Sequence, residues 1–146
     1  MSTLYSDVIS ASTIKFQDYK MDKLRVEDEA KWTLRMEGLL LNGLPLFNKC
    51  RKDLFNRDED LKQFNDTLDG NEIDILSDCL VIKWLERDLN TTLKLNSMIQ
   101  DKNSAKRVNE PAMISAERLL ISQKLEDLSR KISDYSFSDY IGSVTK

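Results

Sequence analysis

The chain has no histidine, and only four glycines, two prolines and two cysteines in 146 residues. Without an imidazole there is no Ser-His-Asp or Cys-His hydrolysis, and no zinc site that uses His as a ligand. So few backbone breakers argue against a sheet-rich fold with many tight turns, and for long helices. Gly38, Gly43, Gly70 and Gly142 lie too far apart to form a Walker or Rossmann phosphate loop, so nucleotide hydrolysis is not expected. No apolar run approaches the roughly 20 residues of a membrane span. Met1 to Ile14 carries Asp7 where a signal peptide would have a basic start. The expectation is a soluble protein of a reducing cytosol, or of an assembly built there.

What is present fits one domain. Hydrophobic residues make up 40% and charged residues 32%, enough to bury a core without the composition of a disordered chain. Lys and Arg total 22 against 25 for Asp and Glu, a net charge of −3. Split after Ile73, the halves hold 11 basic and 14 acidic residues, then 11 and 11, so neither is a charged tail. That is not the balance of a free nucleic-acid binder, although a local basic patch stays open. Cys50 and Cys79 sit in apolar helical patterns. Buried reduced thiols are the first reading and a disulfide the second.

Along the chain, Leu4, Val8, Ala11 and Ile14 suggest a short helix from Thr3 to about Ile14. Phe16 to Leu24 has no sustained period and reads as a connection. Helix signals return at Val26 to Ala30, where Glu27, Asp28 and Glu29 suit an N-terminus, and continue to Leu41. Gly43 and Pro45 interrupt them, with a kink or fresh start expected near Leu46 and helical spacing over Leu46 to Leu54. Phe55 to Asn71 is polar and reads as an ordered connection with at most a short helix. Asp69 or Asn71 is the natural cap for the next helix.

That helix, Glu72 to about Asp101, is the clearest element. Ile73, Leu76, Leu80 and Trp84 form one stripe; Ile75, Cys79, Ile82, Leu85 and Leu89 form another. Thirty residues span roughly 45 Å, more than a core of this size requires, so the distal half should project. Asp101 to Asn109 is a polar turn. A second helix starts near Pro111, with Ile114, Ile121, Leu125, Leu128, Ile132 and Tyr135 as a coiled-coil-like seam and Arg118 at the missing position. The fold class read from these elements is all-α. One helical domain over residues 1–136 would carry a long antiparallel hairpin at about 72–135, and residues 137–146 would form an extended tail.

Sites for chemistry are few. Asp58-Glu59-Asp60 alternates like part of a calcium loop, but Gln63 stands where the loop needs Gly, so a solvated loop is the reading. Cys50 has no His to activate it, although Lys49, Arg51 and Lys52 could lower its pKa. A carboxylate enzyme resting on Asp58, Asp60 or Glu72 is the weakest reading. No catalytic set, metal site or cofactor is expected. Lys102, Lys106 and Arg107 are either a solvated turn or a contact for phosphate or an acidic surface. Trp32 and Trp84 read as core or helix-contact residues. Tyr135, Phe137, Tyr140 and Ile141 are either a frayed end or a docking segment.

The segments FNKCRKDL (Phe47 to Leu54), LDGNEIDILSDCLVIKWLERDLNTT (Leu68 to Thr92) and SAERLLISQKLEDLSRKISDYSF (Ser115 to Phe137) carry a resemblance. In this order the chain resembles small helical structural proteins from the head-to-tail gene region of tailed bacteriophages that infect Gram-positive hosts. The matching features are a polar loop, an acidic helix start, an internal Trp-Leu (Trp84-Leu85) and a terminal aromatic pair (Tyr135, Phe137). Gln100-Asp101-Lys102 departs from the family's Lys-Asp-Phe, and Gly43-Pro45 from its smoother second helix. The resemblance implies a neck adaptor, or head completion protein, made in the host cytoplasm and located in the virion at the head–tail junction. It implies a homo-oligomeric ring, usually dodecameric, that binds the portal protein and the next neck or tail completion protein. Such a ring continues the DNA channel, with non-specific contact to viral DNA open and no membrane partner. In those relatives the C-terminal segment docks into the portal, which would occupy Phe137, Tyr140 and Ile141. The alternative is a small helical binding module that inhibits or regulates a host protein.

Overall fold

The computed structural model describes the backbone of residues 2–15, 18–100 and 110–144; side chains of residues 92, 94–100, 110–111 and 139–144 lie outside the description. The chain is mostly helical. After strand β1 (Thr3–Leu4) come helices α1 (Tyr5–Thr13), α2 (Tyr19–Glu27) and α3 (Glu29–Gly43), then a 3-10 turn at Leu44–Leu46. Strands β2 (Arg57–Asp58) and β3 (Gln63–Phe64) follow, then α4 (Gly70–Gln100) and α5 (Glu110–Val144).

Each of the first three helices has a local cause. In α1, Tyr5, Val8, Ile9 and Ser12 recur on one buried face, and the Ser12 hydroxyl is satisfied by donating to the Ile9 carbonyl at 2.6 Å. Asp18 caps α2 by accepting from the Lys20 N–H at 2.9 Å. Asp28 ends α2 and starts α3, where its side chain accepts from the Lys31 N–H at 3.1 Å. The span read as a connection therefore holds a helix. It escaped periodicity because only Met21 of α2 is fully buried. In α3 the buried set Trp32, Met36, Leu39, Leu40 and Gly43 keeps helical spacing. Pro45 then forces the 3-10 turn, and Phe47 to Leu54 continues as irregular chain rather than helix.

The polar connection before α4 is a small antiparallel sheet in the order β1-β3-β2, with Phe64 opposite Thr3 and Arg57. Phe64 is fully buried against Tyr5, ring centroids 5.0 Å apart. The Thr3 hydroxyl accepts from the Leu68 N–H at 2.8 Å, tying the sheet to the approach to α4. The first helix starts at Tyr5 because Thr3 and Leu4 are drawn into this sheet.

α4 is the central helix. Ile75, Leu76, Cys79, Leu80, Val81 and Ile82 are all buried, so the first half of α4 is covered on most sides, while Trp84 and Leu85 are half-buried. α3 packs along it at short range: a Cβ on Gly43 would come within 3.1 Å of the Cys79 carbonyl carbon and oxygen. α5 runs antiparallel to α4, because Tyr135 reaches Glu72 and Lys131 reaches Asp74 and Asp78. The α5 seam is turned from the predicted one. Ile121, Leu128 and Tyr135 are buried and Ile114 and Ile132 half-buried, but Leu125 is exposed, and Glu117, Lys124 and Lys131 take the intervening places.

One expectation is overturned. α5 continues to Val144, so residues 137–144 are helix and not an extended tail, and the boundary at 136 falls inside an element. The stretch Phe137 to Val144 contains no Pro, and Gly142 alone does not stop a helix already nucleated over many turns.

Candidate functional site

The most concentrated polar chemistry lies where α4 begins. Asp69 and Glu72 form a reciprocal capping box. The Asp69 carboxylate accepts from the Glu72 N–H at 2.8 Å, and Glu72 Oε1 accepts from the Asp69 N–H at 2.9 Å. Glu72 is fully buried, so its charge needs further donors. Lys52 Nζ gives one to Oε1 at 3.0 Å. The Tyr135 hydroxyl gives one to Oε2 at 2.7 Å, and the Cys50 thiol reaches the same oxygen at 3.4 Å. The Tyr135 oxygen in turn accepts from the Arg51 N–H at 3.0 Å. The Arg51 guanidinium donates to the Tyr135 carbonyl at 3.1 Å and lies 4.2 Å from the ring centre. Phe47 packs edge-on to the same ring, centroids 5.2 Å apart. One carboxylate thus joins the 47–54 loop, the α4 N-terminus and α5.

The electrostatics define what this cluster can do. Burial alone would raise the Glu72 carboxyl, but the hydrogen bonds from Asp69, Tyr135, Lys52 and Cys50 outweigh it and hold the group below its ordinary value. A carboxylate that accepts from four donors is a poor base. Burial, together with Glu72, pushes the Cys50 thiol up to about 11, although the Lys52 N–H works against it. The neighbouring cations therefore do not activate this thiol. Burial and Glu72 raise the Tyr135 hydroxyl as well. These groups hold the fold; each is fixed in a form unsuited to proton transfer or nucleophilic attack at neutral pH.

A second cluster lies on the next turns of α4. Lys15 and Lys131 each bridge Asp74 and Asp78, with four N–O distances between 2.5 and 2.8 Å. Burial would raise the Asp74 carboxyl, but Lys131 and Lys15 overcome it and lower it. The square clamps the end of α1 and the middle of α5 to α4. Farther along, Glu117 of α5 faces the charge of Asp88, and its Oε2 is buried with no hydrogen-bond partner. Burial first, and Asp88 second, raise this carboxyl.

An open groove of about 760 Å³ runs between α3 and α4, lined by Lys31, Arg35, Lys83 and Arg87. Neither composition nor any motif pointed to it. Its only signal was i, i+4 spacing of cations on two separate helices, which becomes a site once α3 lies against α4.

The structure distributes the predicted site residues unevenly. Tyr135 is buried in the core, while Phe137 is 62% exposed. Tyr140 and Ile141 lie on α5, with side chains outside the description, and Lys102, Lys106 and Arg107 are outside the described residues. Asp58 caps its own turn, accepting from the N–H groups of Asp60 and Leu61 at 3.0 Å each. Among the described residues no three His, Cys, Asp or Glu side chains are placed to hold a metal ion, and no helix is long and apolar enough to cross a membrane. Trp32 is buried, and Trp84 donates its Nε1–H to Asp18 at 3.1 Å. Cys50 and Cys79 are both free thiols. No protein-family model, curated protein or solved structure matches the chain.

Proposed function

We propose that the chain is a structural protein of a tailed-phage neck: an adaptor whose ring joins the portal to the next neck or tail protein and continues the DNA channel. The observation that carries this reading, beside the sequence resemblance, is the state of α5. It is a 35-residue helix with one narrow buried stripe, while Met113, Leu119, Leu120 and Phe137 remain exposed. A long helix with large apolar groups on its outer faces is stabilised by neighbours, as copies in a ring would supply. The reactive-looking groups at the α4 N-terminus are engaged in holding elements together, which suits an assembly part.

In this reading the distal hairpin projects and Lys102, Lys106 and Arg107 meet phosphate or an acidic surface. Phe137, Tyr140 and Ile141, carried on helix, meet the portal. The exposed α5 residues would equally suit a small module that binds a host protein, and the two readings part on location. Mass spectrometry of purified virions should find the chain. Truncation after Ser136 should abolish particle completion while far-UV circular dichroism keeps a folded core. A truncated chain that still completes particles would remove the portal-docking role. Absence from virions, with capture of one host protein, would favour the binding module.

A further inference from the structure

The α3–α4 groove is built from two antiparallel stripes. Lys31, Arg35, Gly38 and Asn42 recur along α3; Lys83, Arg87, Asn90 and Thr91 lie opposite on α4. From Lys31 to Asn42 the stripe is about 16 Å long at 1.5 Å per residue. Among the described residues Lys31, Arg35 and Arg87 have no ion-pair partner, whereas Lys83 shares Glu86 at 3.2 Å. Gly38 leaves open space above the floor, since a Cβ there would meet nothing within 4 Å. Leu34, 68% exposed, adds an apolar patch between the cations. The groove therefore asks for a short, acidic, partly apolar occupant.

The chain itself carries such a segment. Between β2 and β3, Asp58 holds a tight turn with its side chain, and Lys62 closes it in the left-handed region at φ 54°. This presents Glu59 and Asp60 at the tip with Leu61 beside them, 61% exposed. Asp60 has no ion-pair partner among the described residues, and Glu59 has only the exposed contact to Arg57 at 3.1 Å. The turn is tied to the flank of its own α3 through Lys62 and Glu37, 3.7 Å apart. Glu37 is off the Lys31–Arg35–Gly38–Asn42 stripe, so the turn and the groove of one chain face different ways.

We infer that the acidic turn of one copy docks into the α3–α4 groove of a second copy, with Glu59 and Asp60 received by Lys31, Arg35 and Arg87, and Leu61 by Leu34. Two different patches make a heterologous contact, which closes into a ring or extends as a filament. A continuous phosphate backbone fits less well. Glu86 lies among the groove cations, and Asp18 and Asp88 line the adjoining hollow with Arg35 and Arg87, so a long polyanion would cross carboxylates at the groove's margins. A short acidic tip avoids them.

The contact rests on the self-assembly contained in the neck reading and supplies its subunit interface. Sedimentation over a range of protein concentrations, at low and high salt, tests it on four full-length chains: wild type, R35E/R87E, E59K/D60K and the combination of all four substitutions. Asp58 is left in place so that the turn keeps its cap, and circular dichroism checks that each variant folds. Wild type should self-associate, less so at high salt. Each double variant should associate at least tenfold more weakly, and the four-substitution chain should regain association because both partners are reversed. A monomeric wild type, association indifferent to the reversals, or double variants that the combination does not rescue would each overturn the contact. So would self-association unchanged by R35E/R87E while binding of a DNA duplex is lost. Absence of the chain from virions would instead remove the neck reading and leave this contact standing.

Discussion

Glu72 keeps a negative charge at zero exposure because the Asp69 N–H and three side chains, Lys52, Tyr135 and Cys50, all donate to its carboxylate. Tyr135 is the costly partner to lose, since its hydroxyl both donates to Glu72 and accepts from the Arg51 N–H. Tyr135→Phe should lower stability by about 1–3 kcal/mol, the range for leaving buried polar groups unmatched, read by urea unfolding. Cys50→Ala should cost less, because the thiol is a weak donor at 3.4 Å.

Glu72 and Asp74 are held below their ordinary values, so the folded state binds fewer protons than the unfolded chain near those values. Their contribution is complete above the unfolded carboxylate value of about 4 and is lost as pH falls through the folded values. Urea midpoints measured from pH 7 down to pH 2 should decline, and Glu72→Gln should flatten the decline while lowering the plateau. Glu117 has the opposite sign. Its carboxyl is raised, so its contribution is best below the ordinary value and worsens as pH rises through the folded one. Glu117→Met, between the seam residues Ile114 and Ile121, should raise stability at pH 7 by roughly 1 kcal/mol. A midpoint that falls would mean that the carboxylate has a favourable role in the seam.

At the scale of elements, the two glycines of α3 separate helix propensity from packing. Gly38 has open space above it, so Gly38→Ala should stabilise by about 0.5–1 kcal/mol. Gly43→Ala places a methyl 3.1–3.2 Å from Cys79 atoms, two of them backbone, and should destabilise as α3 is pushed away from α4. Thermal melts of the two variants should move in opposite directions. What was legible in the sequence follows the same physics. The two apolar stripes of α4 announced a buried helix, and Asp69, one of two candidate caps with Asn71, could be read because capping needs only local residues. α2 was not legible, since one buried Met leaves no period, and two-residue strands are too short to alternate. In the α5 seam Ile121, Leu128 and Tyr135 are buried as the sequence suggests, whereas Leu125 is exposed and Lys124 and Glu117 turn inward instead. The Asp74–Asp78 pair on α4 draws Lys131 inward, which no pattern within α5 could reveal. The tail was misread for a related reason, because mixed polarity from Phe137 onward hides a helix that continues from the turns before it. The Glu72 cluster was half visible: its cap could be read locally, its partner on α5 could not.

At the scale of the whole molecule, a buried polar network ties the 47–54 loop and α5 to one end of α4, while α5 leaves Met113, Leu119, Leu120 and Phe137 exposed. In the proposed contact the acidic turn of one copy reaches forward and the α3–α4 groove of the next receives it. The most direct measurement of the central claim is cryo-electron microscopy of purified virions, with mass spectrometry to identify the chain. The chain should lie at the head–tail junction, as a symmetric ring of copies around the DNA channel. Virions that lack the chain, or that carry it without rotational symmetry away from the junction, would contradict it.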